Sequence, residues 1–281
     1  MAADNNIRPS PIAGTWYSGD KEILGRQIDS FLAEASLPDI KGKIVGLIAP
    51  HAGYRYSGKT AGYSYKAIQG KDYELVAILS PLHSYYPAKL LTSAHDAYST
   101  PLGNIAIDKI AQEMVSKTLS KDGLEMEPLA CDQEHSLEIQ LPFLLRDGCA
   151  VFQLFPIMLR THDYNDTQKV ANALVKAIKD KDALLVASTD LSHFYPKQVA
   201  ESLDAEMLRR IESFSPEKVL QAEVEGKAFA CGAAAIAVVL GAAKQLGADH
   251  IQILNYSTSA DSTGDDSSVV GYGAAVIAKA E

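Results

Sequence analysis

The stretch KIVGLIAPHAGYRYSGKTAGYSYKAIQGKDYELVAIL, residues 43–79, decides the fold class of this chain. It contains two short apolar runs, 43–49 and 75–79, and each run has the length and composition of a buried strand. The residues between them, 58–69, predict a helix. A strand, a helix and a second strand in one sheet form a parallel pair joined by a right-handed crossover. The stretch therefore predicts an α/β protein.

The same alternation continues along the chain. Helices are predicted at 20–35, with Asp20 as N-cap, and at 108–119, 136–145, 166–179, 196–214, 216–223 and 230–246. Strands are predicted at 151–157, 183–187, 251–256 and 268–278. The sequence shows no internal repeat, low-complexity tract or long linker. We therefore expect a single α/β domain over residues 1–281, with a central mixed, twisted sheet flanked by helices.

The composition excludes several classes of partner. A net charge of −9 with scattered Lys and Arg argues against nucleic acid, and 47% hydrophobic residues are ordinary for a globular enzyme. The longest charge-free stretch, 228–243, is shorter than the roughly 20 residues that span a bilayer, so it predicts a buried helix and no membrane segment. Residues 1–11 lack the basic and apolar regions of a secretory signal. The sequence therefore predicts a cytoplasmic protein.

Three cysteines are an odd number, so no disulfide framework is expected. Cys131 and Cys149 are interpreted as packing residues. Cys231, in the segment FACGAAA, lies at the head of the predicted buried helix, and two interpretations stay open. Apolar surroundings favour an inert thiol, whereas a helix N-terminus stabilises a thiolate that binds a metal. Gly232, the next residue, would let a ligand or another backbone approach closely.

Four of the seven histidines follow short apolar runs. They are His51, His83, His135 and His193. In open α/β proteins, sites are built in the crevice at the carboxyl ends of strands. Four such placements are more than core packing alone would often produce. The pattern therefore predicts a metal centre or an acid–base centre.

His51 and His83 share one arrangement, a predicted strand followed by a proline and then the histidine one or two residues later. Two parallel strands that end this way can direct both imidazoles into one crevice. Two histidines and one anionic ligand suit first-row transition metals and leave positions open for a substrate. Tyr54 and Tyr56 add hydroxyl groups nearby. The alternative for each histidine alone is a loop residue bonded to backbone, and no short-range metal motif such as HExxH is present.

Two further segments carry acid–base pairs. Glu134 and His135 are adjacent in DQEHSLEIQLPF, where the carboxylate would fix the imidazole or, alternatively, stabilise a helix start. Asp190 and His193 are three residues apart in STDLSHF. On one helical turn they would face the same side, as an acid–base pair or as metal ligands. Capping by Ser188, Thr189 or Asp190 is the alternative, but it leaves His193 without a role.

These segments together resemble the Memo family, the Memo-like proteins also labelled component B of the AmmeMemoRadiSam system. The matching pieces run in family order over nearly the whole chain: AGTWYSGD, APHAGYRYSG, ILSPLH, TPLG, DQEHSLEIQLPF, STDLSH, ACG and DSSVVGYGA. No single piece is specific, but the ordered set is. Where the family commonly has GPSHH, this chain has SPLHS, so Ser84 replaces a second histidine after His83.

The resemblance implies a fold similar to the class III extradiol dioxygenases, which open catechol rings with non-haem iron. His51 and His83 would match the two imidazole ligands, and Cys231 would stand in place of the carboxylate ligand. His193 would match the acid–base histidine, with Asp190 beside it. The implied cofactor is Fe(II), with copper or zinc as alternatives.

Three functions follow as hypotheses. The first is a metal-dependent redox enzyme in which Glu134, His135 and Tyr54 assist His193 and Asp190 in catalysis. The second is a non-catalytic module that binds a peptide or protein. The third, implied only by the family label, is an accessory component that works with a radical SAM protein. The substrate class is a small molecule or a peptide.

Overall fold

The computed structural model describes residues 6–146 and 152–280, in which strands and helices alternate. The strands are β1 (Ile7–Arg8), β2 (Lys43–Ala49), β3 (Leu75–Pro81), β4 (Leu90–Ser93), β5 (Ala97–Thr100), β6 (Gly103–Ala106), β7 (Met126–Leu129), β8 (Gln153–Leu159), β9 (Ala183–Ser188), β10 (His193–Tyr195), β11 (His250–Thr258) and β12 (Val269–Lys279). The helices are α1 (Lys21–Glu34), α2 (Tyr54–Lys66), α3 (Lys109–Lys121), α4 (Leu141–Arg146), α5 (Tyr164–Ile178), α6 (Lys197–Glu212), α7 (Pro216–Val224), α8 (Ala233–Gln245) and α9 (Ala260–Thr263).

The central sheet has nine strands in the order β10-β12-β2-β9-β3-β8-β4-β7, and β11 pairs with β12. Strands β2, β9, β3 and β8 are parallel neighbours, while β12 is antiparallel to β2 and β4 is antiparallel to β8. The carboxyl ends of β2, β9 and β3 therefore lie side by side at one edge of the sheet. The predicted fold class, α/β with a mixed sheet flanked by helices, is confirmed. The domain limits 1–281 stay a prediction.

The sheet is buried on both faces. Along β3, Leu75, Ala77 and Leu79 join one apolar cluster, which includes α8, whereas Val76 and Ile78 join another, which includes α1 and α2. This alternation follows from the two-residue period of a strand. Because helices cover both faces, both sets of side chains are apolar, as expected for the parallel part of a sheet.

Helix α2 begins at Tyr54, earlier than the predicted start at 58, because Gly53 takes the N-cap position directly after the His51 loop. It packs closely on α1. A Cβ atom at Gly62 would lie 2.8 Å from the carbonyl oxygen of Phe31, so only glycine allows this approach. The close contact fixes α2, and with it the loop that carries His51.

Two predicted elements differ in detail. The predicted helix 136–145 is a short 3-10 turn, Glu138–Gln140, followed by α4, and Pro142 fits because it lies in the first turn of α4. The predicted strand 151–157 starts at Val151, outside the described residues, and its described part is β8. The long apolar segment is α8, buried from 233 to 243. No helix within 6–146 or 152–280 is long and apolar enough to cross a bilayer.

Candidate metal centre

Three segments at one edge of the sheet bring His51, His83 and Cys231 together. His51 follows β2, His83 follows β3, and Cys231 precedes α8. One ligand atom from each residue lies within 4.8 Å of the other two. A second group, His83, Glu134 and His135, satisfies the same distance. The sites predicted at separate strand ends therefore form one cluster.

The proton of the His51 imidazole is fixed by a buried serine. Ser188 Oγ donates to the carbonyl oxygen of Ser136 at 2.5 Å and accepts from Gln140 Nε2 at 2.8 Å. The single hydroxyl proton of Ser188 is thus already donated. Ser188 Oγ lies 3.1 Å from His51 Nδ1 and must therefore accept a hydrogen bond from the N–H of that nitrogen. Burial holds the pKa of His51 well below its usual range, so the ring is neutral. Its Nε2 atom then carries a free lone pair.

His83 is fixed by Glu134. Glu134 accepts the Nδ1–H of His83 at 2.9 Å and its backbone N–H at 2.7 Å, and it also accepts the backbone N–H of His135 and of Ser136. Burial alone would raise the pKa of this carboxyl, but its hydrogen bonds and the charge of His83 outweigh burial and lower it. The pKa of His83 is raised, because its bond to Glu134 and that carboxylate's charge outweigh burial. This carboxylate–imidazole pair leaves Nε2 of His83 available as a ligand.

Cys231 meets the free nitrogen of His51. Its Sγ lies 3.1 Å from His51 Nε2 and accepts the backbone N–H of Asp190 at 3.2 Å. Burial raises the pKa of the thiol, and the charge of Asp190 acts in the same direction, so the protonated form is favoured. The S–H therefore donates to His51 Nε2. A metal ion bound between these atoms would replace that proton, which is released on binding.

Gly232 allows Cys231 to reach this position. A Cβ atom at Gly232 would lie 2.4 Å from the carbonyl oxygen of Ser188 and 2.7 Å from the side chain of Thr189. The Gly232 N–H donates to Thr189 Oγ1 at 2.9 Å. The segment before α8 thus packs closely against the end of β9. This is the close backbone approach that the sequence predicted at Gly232.

Asp190 anchors the His51 loop. Its Oδ1 accepts the backbone N–H of His51 at 2.7 Å, and Ala52 donates a second backbone bond. Burial raises the pKa of Asp190 to about 7, although these bonds act in the opposite direction. Residues 189–192 form neither helix nor strand, so the predicted single helical turn of Asp190 and His193 is wrong. The two side chains nevertheless line the same cavity.

His193 opens β10, which pairs with β12 at Val270. Its Nδ1–H donates to the carbonyl oxygen of Leu191 at 2.8 Å. Burial lowers the pKa of His193, so the ring is neutral at pH 7. Its Nε2 atom is then a proton acceptor.

His135 packs between aromatic neighbours. Its ring stacks on His83 with centroids 4.7 Å apart and lies 4.1 Å from the ring of Trp16. Burial and the charge of His83 lower the pKa of His135 to about 4, against the opposing charge of Glu134. A neutral His135 thus forms one wall of the cluster.

A cavity of about 710 Å³ opens onto the cluster, within the usual range of ligand sites. His51, His83, His135, Asp190 and His193 line it. Its rim carries exposed aromatic side chains and hydroxyl groups: Trp16, Tyr56, Phe194, Ser259, Thr263 and Ser268. Among the described residues that line this cavity there is no Lys or Arg.

The structure does not bring Tyr54 to the site. Tyr54 is buried among aromatic core residues, and its hydroxyl donates to the carbonyl oxygen of Ile139 at 3.0 Å. Residues two apart on a helix point in different directions, so Tyr56 faces the cavity instead. We therefore replace Tyr54 by Tyr56 in the candidate site.

The environment of Cys131 and some of the site residues were not anticipated correctly from the sequence. Cys131 is exposed, so its interpretation as a packing residue is wrong, and Cys149 lies outside the described residues. Sequence reasoning missed Gln140 and the role of Ser188, because their hydrogen bonds join distant segments. It also missed Trp16, although this single tryptophan of the chain lies in the matching segment AGTWYSGD.

Comparison with known proteins places this chain in a family. The model of the Memo-like protein family matches residues 8–276. A MEMO1 family protein of Nitrosopumilus maritimus is 37% identical over 95% of this chain and 98% of its own length. A MEMO1 family protein of Aquifex aeolicus is 35% identical over 95% and 97%, respectively.

A solved structure, that of an uncharacterized protein from Escherichia coli K12, has a similar fold. Its TM-score is 0.55 at 11% identity, and the match covers 83% of this chain and 100% of that one. At this identity the likeness concerns the fold alone. The sequence relatives carry the assignment, and the chain belongs to the Memo family.

Proposed function

We propose that this protein is a metal-dependent oxidoreductase whose metal ion is held by His51, His83 and Cys231. The supporting observation is that the three ligand atoms converge within 4.8 Å while Ser188 and Glu134 hold the other ring nitrogen of each histidine. Two imidazoles and a thiolate form a donor set suited to iron, copper and zinc. Fe(II) is the proposed metal, with copper or zinc as alternatives.

The donor set fits a metal ion because Ser188 and Glu134 hold Nδ1 of the two imidazoles and leave Nε2 as the ligand atom. A metal ion would replace the thiol proton of Cys231 and the Nε2 proton of a charged His83. When bound, iron or copper would supply a Lewis acid and one-electron redox chemistry. The protein's own residues supply the rest. His193 would accept a proton from the substrate at Nε2, and Asp190 would hold the His51 loop in position.

The cavity walls would bind and orient the substrate, a small molecule or peptide side chain. Trp16, Tyr56 and Phe194 offer aromatic faces, and His135 is a neutral wall beside His83. Because no Lys or Arg is found among its described lining residues, this cavity disfavours phosphorylated ligands.

The alternative ligand group, His83, Glu134 and His135, is less favourable. Glu134 already accepts four hydrogen bonds, from His83, His135 and Ser136, and a metal would have to displace them. In that group His83 would also need to bind the metal while Nδ1 is held by the same carboxylate. We therefore assign Glu134 to positioning His83.

A second candidate function is a non-catalytic module that binds a peptide or protein. The observation that favours it is the exposed aromatic rim, in which Phe194 is 76% exposed and Trp16 is 36% exposed. Exposed aromatic residues at a cavity mark binding sites for partners as well as for substrates. Action as an accessory component beside a radical SAM protein is a third proposal, and it derives from the family label alone.

Metal content separates the first two candidates. The protein is purified without oxygen, supplied with Fe(II), desalted and analysed for metals, beside Cys231→Ser and the matched control Cys131→Ser. We expect wild type and the control to retain one equivalent of iron and Cys231→Ser to lose it. Wild-type protein that retains no iron, copper or zinc would contradict the proposal and favour the binding module. Substrates for the loaded protein are then sought by oxygen uptake.

A further inference from the structure

A second cavity, of about 300 Å³, borders the cluster at Cys231. It is lined by Leu191, His193, Tyr195, Glu223, Phe229, Ala230 and Cys231. Among the described lining residues, His193 is the only one that the two cavities share. Cys231 lines the second cavity and not the first, whereas His51 and His83 line only the first. The cluster is thus approached from two sides, with His193 between them.

We propose that the second cavity is an entry route by which small uncharged molecules reach the sulfur of Cys231 without passing through the main cavity. Its volume supports a small ligand, because ligand sites range from about 300 to 1,000 Å³ and this cavity lies at the lower limit. The main cavity, at about 710 Å³, is more than twice as large.

The walls of the second cavity favour an uncharged ligand. Leu191 and Ala230 are buried, and the stacked rings of Tyr195 and Phe229 have centroids 6.1 Å apart. The charged group of the wall, Glu223, is already satisfied. One of its oxygens lies 3.0 Å from Nδ1 of His162, and the other accepts the backbone N–H of Ala230 at 3.2 Å. A charged ligand would therefore lose hydration without gaining an unpaired opposite charge among the described lining residues.

The purpose of such a route rests on the proposed function. If the main cavity holds a substrate over His51 and His83, a small co-reactant such as dioxygen needs another approach to the centre. The second cavity would supply it from the sulfur side. The route itself depends only on the shape of the protein, so it is tested on metal-free protein.

The test measures alkylation of Cys231 by a small reagent, iodoacetamide, and by a bulky one, N-phenylmaleimide, with rates read from individual peptides by mass spectrometry. Reactivity depends on the thiolate fraction and on access. The ratio of the bulky to the small rate cancels the thiolate fraction and reports access alone. Exposed Cys131 in the same molecule is the internal reference.

Phe229→Ala opens the second cavity and Trp16→Ala opens the main one. We expect Phe229→Ala to raise the ratio at Cys231 about fivefold or more, and Trp16→Ala to leave it unchanged. Tyr195→Ala, on the same wall, gives the same readout if Phe229→Ala does not fold. A ratio that rises with Trp16→Ala, or with neither wall variant, would overturn the route. If the alkylation test confirms the route but the metal analysis finds that the protein binds no metal, the inference about the route is kept and the proposed function is rejected.

Discussion

Ser188 Oγ lies 3.1 Å from Nδ1 of His51 and can only accept a hydrogen bond from it, because its own proton is donated to Ser136. This relationship sets the tautomer of His51 and directs the free Nε2 toward Cys231, 3.1 Å away. A metal site in which the ligand is oriented by a second residue depends strongly on that residue. Substitution of Ser188 therefore tests the proposed metal site, as substitution of a ligand does.

Replacing Ser188 by alanine should weaken Fe(II) binding about 10- to 100-fold while the fold is kept, because His51 loses the acceptor that orients its ring. Affinity is measured by anaerobic competition with a chelator. Ser64→Ala is the matched control, since Ser64 is equally buried but donates to the carbonyl oxygen of Ile48 away from the site. Equal affinities of the two variants would refute the orienting role.

His51→Ala and His83→Ala should each abolish tight metal binding, because each removes one of three ligands. His95→Ala and His162→Ala should retain the metal. His95 is bonded to Asn6, and His162 is paired with Glu223, and neither histidine belongs to the ligand cluster. The metal content of each variant is measured by elemental analysis after anaerobic loading with Fe(II). Full metal content in both ligand variants would exclude the proposed ligand set.

Glu134→Gln should lower metal affinity about tenfold without changing the stoichiometry, because a neutral amide still accepts from His83 but polarises its ring less. Chelator competition measures the change. Complete loss of metal would instead identify Glu134 as a ligand, in favour of the alternative group with His83 and His135.

His193→Ala should keep the metal and lose about 10²- to 10⁴-fold in turnover, the usual contribution of a general acid or base. The expectation follows from its neutral ring and its free Nε2 at the cavity. Metal content and oxygen uptake with a substrate that the wild type converts are measured together. Loss of metal would show that His193 is a ligand.

Gly62→Ala should lower the free energy of unfolding by about 1–3 kcal/mol, because the new Cβ would lie 2.8 Å from the carbonyl oxygen of Phe31 and force α1 and α2 apart. Gly25→Ala is the matched control inside α1. There the nearest atoms belong to the flexible, partly exposed side chain of Arg146, so helix propensity should stabilise the protein by about 0.5–1 kcal/mol. Urea denaturation compares both variants, and equal effects would contradict the close helix contact.

Much of the fold could be predicted from local pattern. The apolar runs at 43–49 and 75–79 can be recognised from consecutive residues alone. The same is true of the N-cap Asp20, whose side chain accepts the N–H of Ile23. The start of α2 was harder to predict from the sequence, because its N-cap residue is Gly53, which has no side chain to form a capping hydrogen bond. The boundary at Leu141 between the 3-10 turn and α4 was likewise not predicted, although Pro142 marked the place at which a helix would be interrupted or would begin.

The sequence by itself determined that His51 and His83 follow parallel strands, because the length and composition of apolar runs fix strand ends, and the order of its motifs pointed to Cys231. Only the tertiary structure decided that β9 lies between β2 and β3, so that Ser188 reaches His51. It also decided that burial keeps the thiol protonated and that Cys231 faces a second cavity. Hydrogen bonds, burial and cavities arise from residues far apart in the chain, and no local pattern encodes them.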